Sequence, residues 1–143
     1  IEADGAAHHS LKSPNETEPV MPANTSLVIA VVGIDALGGE LEEKTVFRAD
    51  FAAKLLHVPL GTIISAKLMA NLITHPRGIA KGSPDNARIV PFINKVDLNN
   101  GLVKARQVAR EILMLPNHRI NTVLLGQAQC EDPVIEIMHK EIL

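Results

Sequence analysis

The stretch Ile89-Val90-Pro91-Phe92-Ile93-Asn94-Lys95-Val96-Asp97 passes from an apolar run to a polar turn in one step. An uninterrupted apolar run of this length reads as a strand buried on both faces, the form strands take in parallel sheets. Gly101 then precedes an amphipathic helix over about Leu102 to Leu115. Its apolar positions Ala105, Val108, Ala109, Ile112 and Leu113 recur at helical spacing, and Lys104, Arg106 and Arg110 form a solvated face. Strand followed by helix puts Asn94 to Asp97 at the carboxyl end of a parallel strand, where open α/β sheets bind ligands.

The same alternation extends in both directions. Leu27 to Val32 is a second aliphatic run, ending at Gly33, and reads as a central buried strand. A Gly38-Gly39 turn and the acidic residues Glu40, Glu42 and Glu43 come next. A short helix is expected from Arg48 to His57, with Phe51, Leu55 and Leu56 inward. A second runs from about Ala66 to Ile73, with Ser65 as its N-cap and Ile64 stapled onto Met69. Asn121 to Leu125 reads as a further strand closed by Gly126, and Asp132-Pro133 as the start of a last helix through Ile137 and Met138. Residues 6–26 and 74–87 have loop composition. The order implies an α/β fold with a mostly parallel sheet, and one domain over residues 1–143.

Composition narrows the function classes. The 143 residues are 46% apolar but hold no Trp, no Tyr and three Phe, so the core is aliphatic. A net charge of -2 without a basic stripe argues against nucleic acid as a partner. No apolar run reaches transmembrane length, so no membrane partner is expected, and a lone Cys130 fits a reducing, cytoplasmic setting.

The chemistry sits in two motifs. Asp97, two residues beyond Lys95, can accept from the N1 and exocyclic N2 donors of guanine. Adenine has an acceptor and no amine there, and would leave a buried carboxylate unpaired at a cost of about 1–3 kcal/mol. Asn94 can donate to the base N7 and tie neighbouring loops together, while the Lys95 stem lies along the base or ribose. The alternative is a polar turn in which Asp97 caps the next segment of chain. The second motif is Glu2-Ala3-Asp4-Gly5, an acidic turn of the kind that holds Mg²⁺ through Glu2 or Asp4 while Gly5 admits the backbone to a phosphate. Such a turn normally comes after a strand, so the chain reads as the carboxyl-terminal part of a longer protein. His8-His9 and Cys130 are weaker metal candidates, because adjacent side chains diverge. Lys12, Arg77 and Lys81 are read as surface cations rather than phosphate contacts.

Several segments together carry a resemblance: IEADGAAHHSLKSP (residues 1–14), EPVMP (18–22), VIAVVGIDALGG (28–39), THPRGIAKGSPDNAR (74–88) and VPFINKVD (90–97). In this order they resemble the YqeC family, nucleotide-binding accessory factors linked to selenium-dependent molybdenum hydroxylases. The resemblance implies a three-layer P-loop NTPase-like fold, incomplete at its amino-terminal side, with the Gly-rich phosphate loop ahead of residue 1. It places Glu2, Asp4 and Gly5 in a Walker B-like segment and Asn94, Lys95 and Asp97 in the base-reading segment. His75, Pro76, Gly78 and Lys81 fall in a family-typical loop. The implied cofactor is GTP or ATP with Mg, and the implied partner a molybdenum hydroxylase or a cofactor-handling protein. NTP hydrolysis would need the phosphate loop that these residues lack. Two rival readings remain: a metallochaperone GTPase for a nickel enzyme, using His8, His9 or Cys130, and a scaffold domain without nucleotide.

Overall fold

The computed structural model describes residues 2–141. Strand β1 (Leu11–Lys12) leads through a proline-rich loop to β2 (Leu27–Gly33), which runs into a short 3-10 turn at Ile34–Ala36. Strand β3 (Val46–Phe47) precedes helices α1 (Ala49–Leu56) and α2 (Ala66–Thr74). Then come β4 (Arg88–Asn94), α3 (Gly101–Met114), β5 (Thr122–Gly126) and β6 (Val134–His139). The main sheet has the order β2-β4-β5-β6, the first three strands parallel and β6 antiparallel to β5. β1 and β3 form a separate parallel pair.

The mixed α/β class expected from the sequence is therefore present, and its core is aliphatic. Val32, Ile93, Val123 and Leu125 from the sheet are buried with Met69, Leu72 and Ile73 of α2 and Val108 and Ile112 of α3. Ser65 caps α2 as expected, its hydroxyl accepting from the Leu68 amide at 3.1 Å. Ile64 and Met69, the staple positions, are both buried in the same core. Ser65→Ala should lower stability by about 1 kcal/mol, measurable by urea denaturation. Pro91 is tolerated in the interior strand β4 because β4 pairs with β5 only from Phe92 onward, so no ladder bond is lost at Pro91.

Five expectations are corrected. The segment from Pro133 is a strand and not a helix: Val134, Ile135 and Ile137 are β-branched, and pairing with β5 outweighs the helix-start signal of Asp132-Pro133. Leu27 to Val32 is an edge strand and not a central one, buried at Val28, Ala30 and Val32 but open at Leu27, Ile29 and Val31. Phe51 faces outward at 38% exposure beneath Lys54, while Leu55 is buried as expected and joins Ala49, Ala52 and Ala53 in the buried stripe of α1. Arg106 does not stand free on a solvated face, since its guanidinium holds Glu136 of β6 through two-pronged contacts of 2.7 and 2.9 Å. That charge pair draws the Glu136 carboxyl below its usual range. Finally, the helices cover one sheet face only, so the described residues make two layers and not three.

Candidate functional site

The carboxyl ends of β2, β4 and β5 meet at one edge of the sheet, which brings Gly33, Asn94 and Gly126 together. Asn94 stitches them. Its Oδ1 accepts from the Lys95 amide at 2.9 Å and from the Ala128 amide at 2.8 Å. The Val96 amide donates to the Gly126 carbonyl at 3.2 Å, so the two loops are joined twice. With Oδ1 engaged, the Asn94 Nδ2 has no hydrogen-bond partner among the described residues and is free to donate.

Lys95 adopts a left-handed conformation, φ +66°, which turns its side chain back over the end of β2. There its Nζ donates to Ser10 Oγ at 2.6 Å and to Asp35 Oδ2 at 2.9 Å. Asp35 lies in the 3-10 turn directly after β2. Burial pushes the Asp35 carboxyl up, but hydrogen bonds from Ser10 and Lys95 and the lysine charge outweigh it and hold the group below its usual range. A depressed carboxyl contributes stability above its unfolded pKa of about 3.9 and loses it as pH falls through the folded value. The stability gap between the native chain and Asp35→Asn should therefore narrow from pH 5 to pH 3. The gap itself stays under about 1 kcal/mol because the pair is partly in solvent.

Gly33 is required here by close approach: a Cβ would lie 2.5 Å from Asp35 Oδ1 and 2.6 Å from Ser10 Cβ. Its amide donates to the Ser10 carbonyl at 2.6 Å, which fixes the Ser10 loop against the strand end. Asp97 is exposed and has no hydrogen-bond or ion-pair partner among the described residues. It stands beside Asn94 and Lys95 without a structural task. A groove of about 830 Å³ is lined by Asn94 and Lys95, by β2 and by the segment Glu2–Gly5, and Asp97 is not among its lining residues.

The amino-terminal acids are arranged differently from one another. Asp4 forms a close ion pair with Lys12, and both side chains are largely buried. Lys12 Nζ also donates to the Gly5 carbonyl at 2.7 Å and stands 5.6 Å from the Phe47 ring centroid. Lys12 is thus a buried structural cation and not a surface one. Glu2 is exposed. Lys81 is likewise engaged, donating to the Glu16 carbonyl at 2.9 Å to hold the 15–16 turn. His9 packs in the loop, with its ring nitrogens against the carbonyls of Ala7 and Glu43 at 2.9 and 2.7 Å and its ring stacked on Phe47. Cys130 is exposed, its thiol donating to Gln127 Oε1 at 3.0 Å. Among the described residues no three of His, Cys, Asp and Glu group so as to hold a metal ion.

The sequence-level candidates Asn94, Lys95 and Asp97 thus share one strand end, and the groove links it to Glu2, Asp4 and Gly5. Ser10, Asp35 and Ala128 join the site although no motif marks them. Among the described residues no helix is long and apolar enough to cross a membrane.

Residues 1–50 match the family described as YqeC protein. A protein of Escherichia coli (strain K12) described as uncharacterized protein YqeC is 34% identical over 136 residues, which is 94% of this chain. The chain spans about half the length of that relative, 51% of it. No solved structure matches. The matched segment includes the acidic turn and the whole of β1 and β2, and the longer likeness carries through the Asn94 loop; in both comparisons the chain is similar to the YqeC family.

Proposed function

We propose that this chain carries the base-reading side of a guanine nucleotide pocket in an accessory factor for maturation of a selenium-dependent molybdenum hydroxylase. The observation that carries the reading is the division of labour at the end of β4. Asn94 is fixed by two backbone amides and keeps Nδ2 for a base acceptor, while Asp97 has no partner among the described residues. An exposed carboxylate with no partner among the described residues, in the same loop as the groove-lining Asn94 and Lys95, matches the paired N1 and N2 donors of guanine.

The triphosphate and Mg²⁺ would lie toward the Glu2–Gly5 end of the groove. Asp4 is neutralised there by Lys12, so Glu2 is the acid whose carboxylate is uncommitted among the described residues and can take a hydrated cation. The backbone amides and lysine of a phosphate loop would have to come from polypeptide beyond these residues, so nucleotide binding is proposed for the product of the complete reading frame. The nickel metallochaperone reading draws no support from the arrangement of His8, His9 and Cys130. The role in hydroxylase maturation rests on the family resemblance, and nucleotide state would gate hand-over of a cofactor or of selenium. Titration of that product with labelled GTP and ATP in the presence of Mg²⁺ tests the pocket: GTP should bind at least about 10-fold tighter. Equal affinity for the two would overturn the base-reading claim.

A further inference from the structure

The main sheet ends at β2, yet β2 is built like an interior strand. It has seven residues, all in parallel register with β4, and none of the charges, prolines or bulges that usually protect an edge. The register shows which backbone groups are spare. The Arg88 amide donates to the Ser26 carbonyl, so Ser26, Val28, Ala30 and Val32 turn their backbone toward β4. Leu27, Ile29, Val31 and Gly33 turn theirs to the open side, and of these the Gly33 amide is satisfied by Ser10.

The open side chains tell the same story. Val31 pairs with Phe92, Phe92 with Leu124 and Leu124 with Ile137, so one apolar row crosses the whole sheet on the face without helices. Ile29, Val31 and Ile137 are 53%, 55% and 53% exposed, while Phe92 in the middle of the row is buried. Beside the free edge lies the groove of about 830 Å³, whose lining also takes in Glu2–Gly5, Pro22, Asn24 and Thr25. Those walls decide the occupant. A second copy of the chain would have to bring its own β2 edge within hydrogen-bonding distance past these segments on both copies. A single strand can enter.

We propose that the stretch of this groove along Leu27–Val31 is the slot for one further parallel strand, which stops short of Gly33, Asn94 and Lys95 and leaves that end to the nucleotide; the strand is supplied by the part of the family protein outside the stretch matched here, which is about half of the Escherichia coli relative. A parallel strand needs a crossover connection, usually a helix. That helix is the natural cover for the exposed Ile29, Val31 and Ile137 on this face. The inference rests on strand pairing and not on the nucleotide reading, so either can fail alone.

Amide hydrogen exchange on the product of the complete reading frame, without nucleotide, is the test. A filled slot makes the amides of Ile29 and Val31 exchange as slowly as those of Ala30 and Val32, within about 10-fold. An empty edge gives alternation, with Ile29 and Val31 faster by about 100-fold or more. Alternation, protection that disappears on dilution, or a reading frame adding no further chain would each overturn the proposal. In the same protein Ile29→Lys combined with Val31→Lys should abolish the protection and lower the denaturation midpoint. An unchanged midpoint would show these side chains still in water and would also overturn it.

Discussion

Gly126→Ala should destabilise the protein by about 3 kcal/mol or more, which for a chain of this size lowers the melting temperature by about 10 °C. A Cβ at this position would lie 1.8 Å from the Pro133 carbonyl oxygen and 3.1 Å from the Phe92 ring. The oxygen cannot withdraw cheaply, because it accepts the Gln127 amide at 2.9 Å at the register shift between β5 and β6. Moving the Gly126 side instead would break the Val96 amide to Gly126 carbonyl bond and pull Ala128 from Asn94. One methyl thus strikes the sheet and the site together. Gly5→Ala is the matching control, since its Cβ would meet only the flexible Glu2 carboxylate at 3.4 Å. Thermal melts should separate the two variants clearly, and equal melting temperatures would refute the close-packing account of Gly126.

Asp97→Ala should have the opposite profile. Asp97 is exposed and unpartnered among the described residues, so its removal leaves the melting temperature within the narrow range of neutral surface changes, about ±0.5 kcal/mol. The loss is confined to the base. Two charge-assisted hydrogen bonds, each contributing about 1.5–3 kcal/mol, disappear from guanine and none from adenine. Affinity for GTP should fall by at least about 100-fold while affinity for ATP stays the same or rises slightly, since the carboxylate no longer opposes the adenine N1 lone pair. A residue that merely capped the turn from Lys95 to Leu98 would give the reverse, a lower melting temperature with unchanged base preference.

The sequence was most legible where local chemistry and tertiary packing agree. Ser65 before an apolar periodic run marks a helix start whatever surrounds it, and α2 begins there. The aliphatic run before Asn94 is a strand because no helix could bury it on one side. Legibility failed where the same residues serve two masters. Asp132-Pro133 has helix-start chemistry, yet Pro133 accepts a bond from Gln127 and delivers Val134 to Ile137 onto β5. Leu27 to Val32 carries the composition of a strand buried on both faces, and nothing in that run states that one face and one edge would stand open. In α1 the alanines pack closest to the core and Phe51 lies outside, a choice hydrophobicity alone ranks the wrong way round.

The site divided along similar lines. Asn94, Lys95 and Asp97 are contiguous, so one strand end defines them. Asp35 and Ala128 stand two residues beyond the ends of β2 and β5, one step further out than Lys95 beyond β4, and that position just past a parallel strand end is the signal that would have found them. Ser10 has no such signal: its place is set by β1 pairing with β3 and by the Gly33 amide. Asp4 was legible as an acid but not as the partner of Lys12, because an ion pair eight residues apart through an irregular loop leaves no periodic trace.

The central claim, that the end of β4 reads guanine through Asp97, is tested most directly by exchanging acceptor for donor at that position. Xanthine replaces the guanine amine with a carbonyl, so Asp97→Asn in the product of the complete reading frame presents the complementary amide. Competitive titration should show GTP weakened and xanthosine triphosphate strengthened, reversing the native preference by about 100-fold or more. Retention of the native GTP preference in Asp97→Asn, or equal weakening of both nucleotides, would contradict the account.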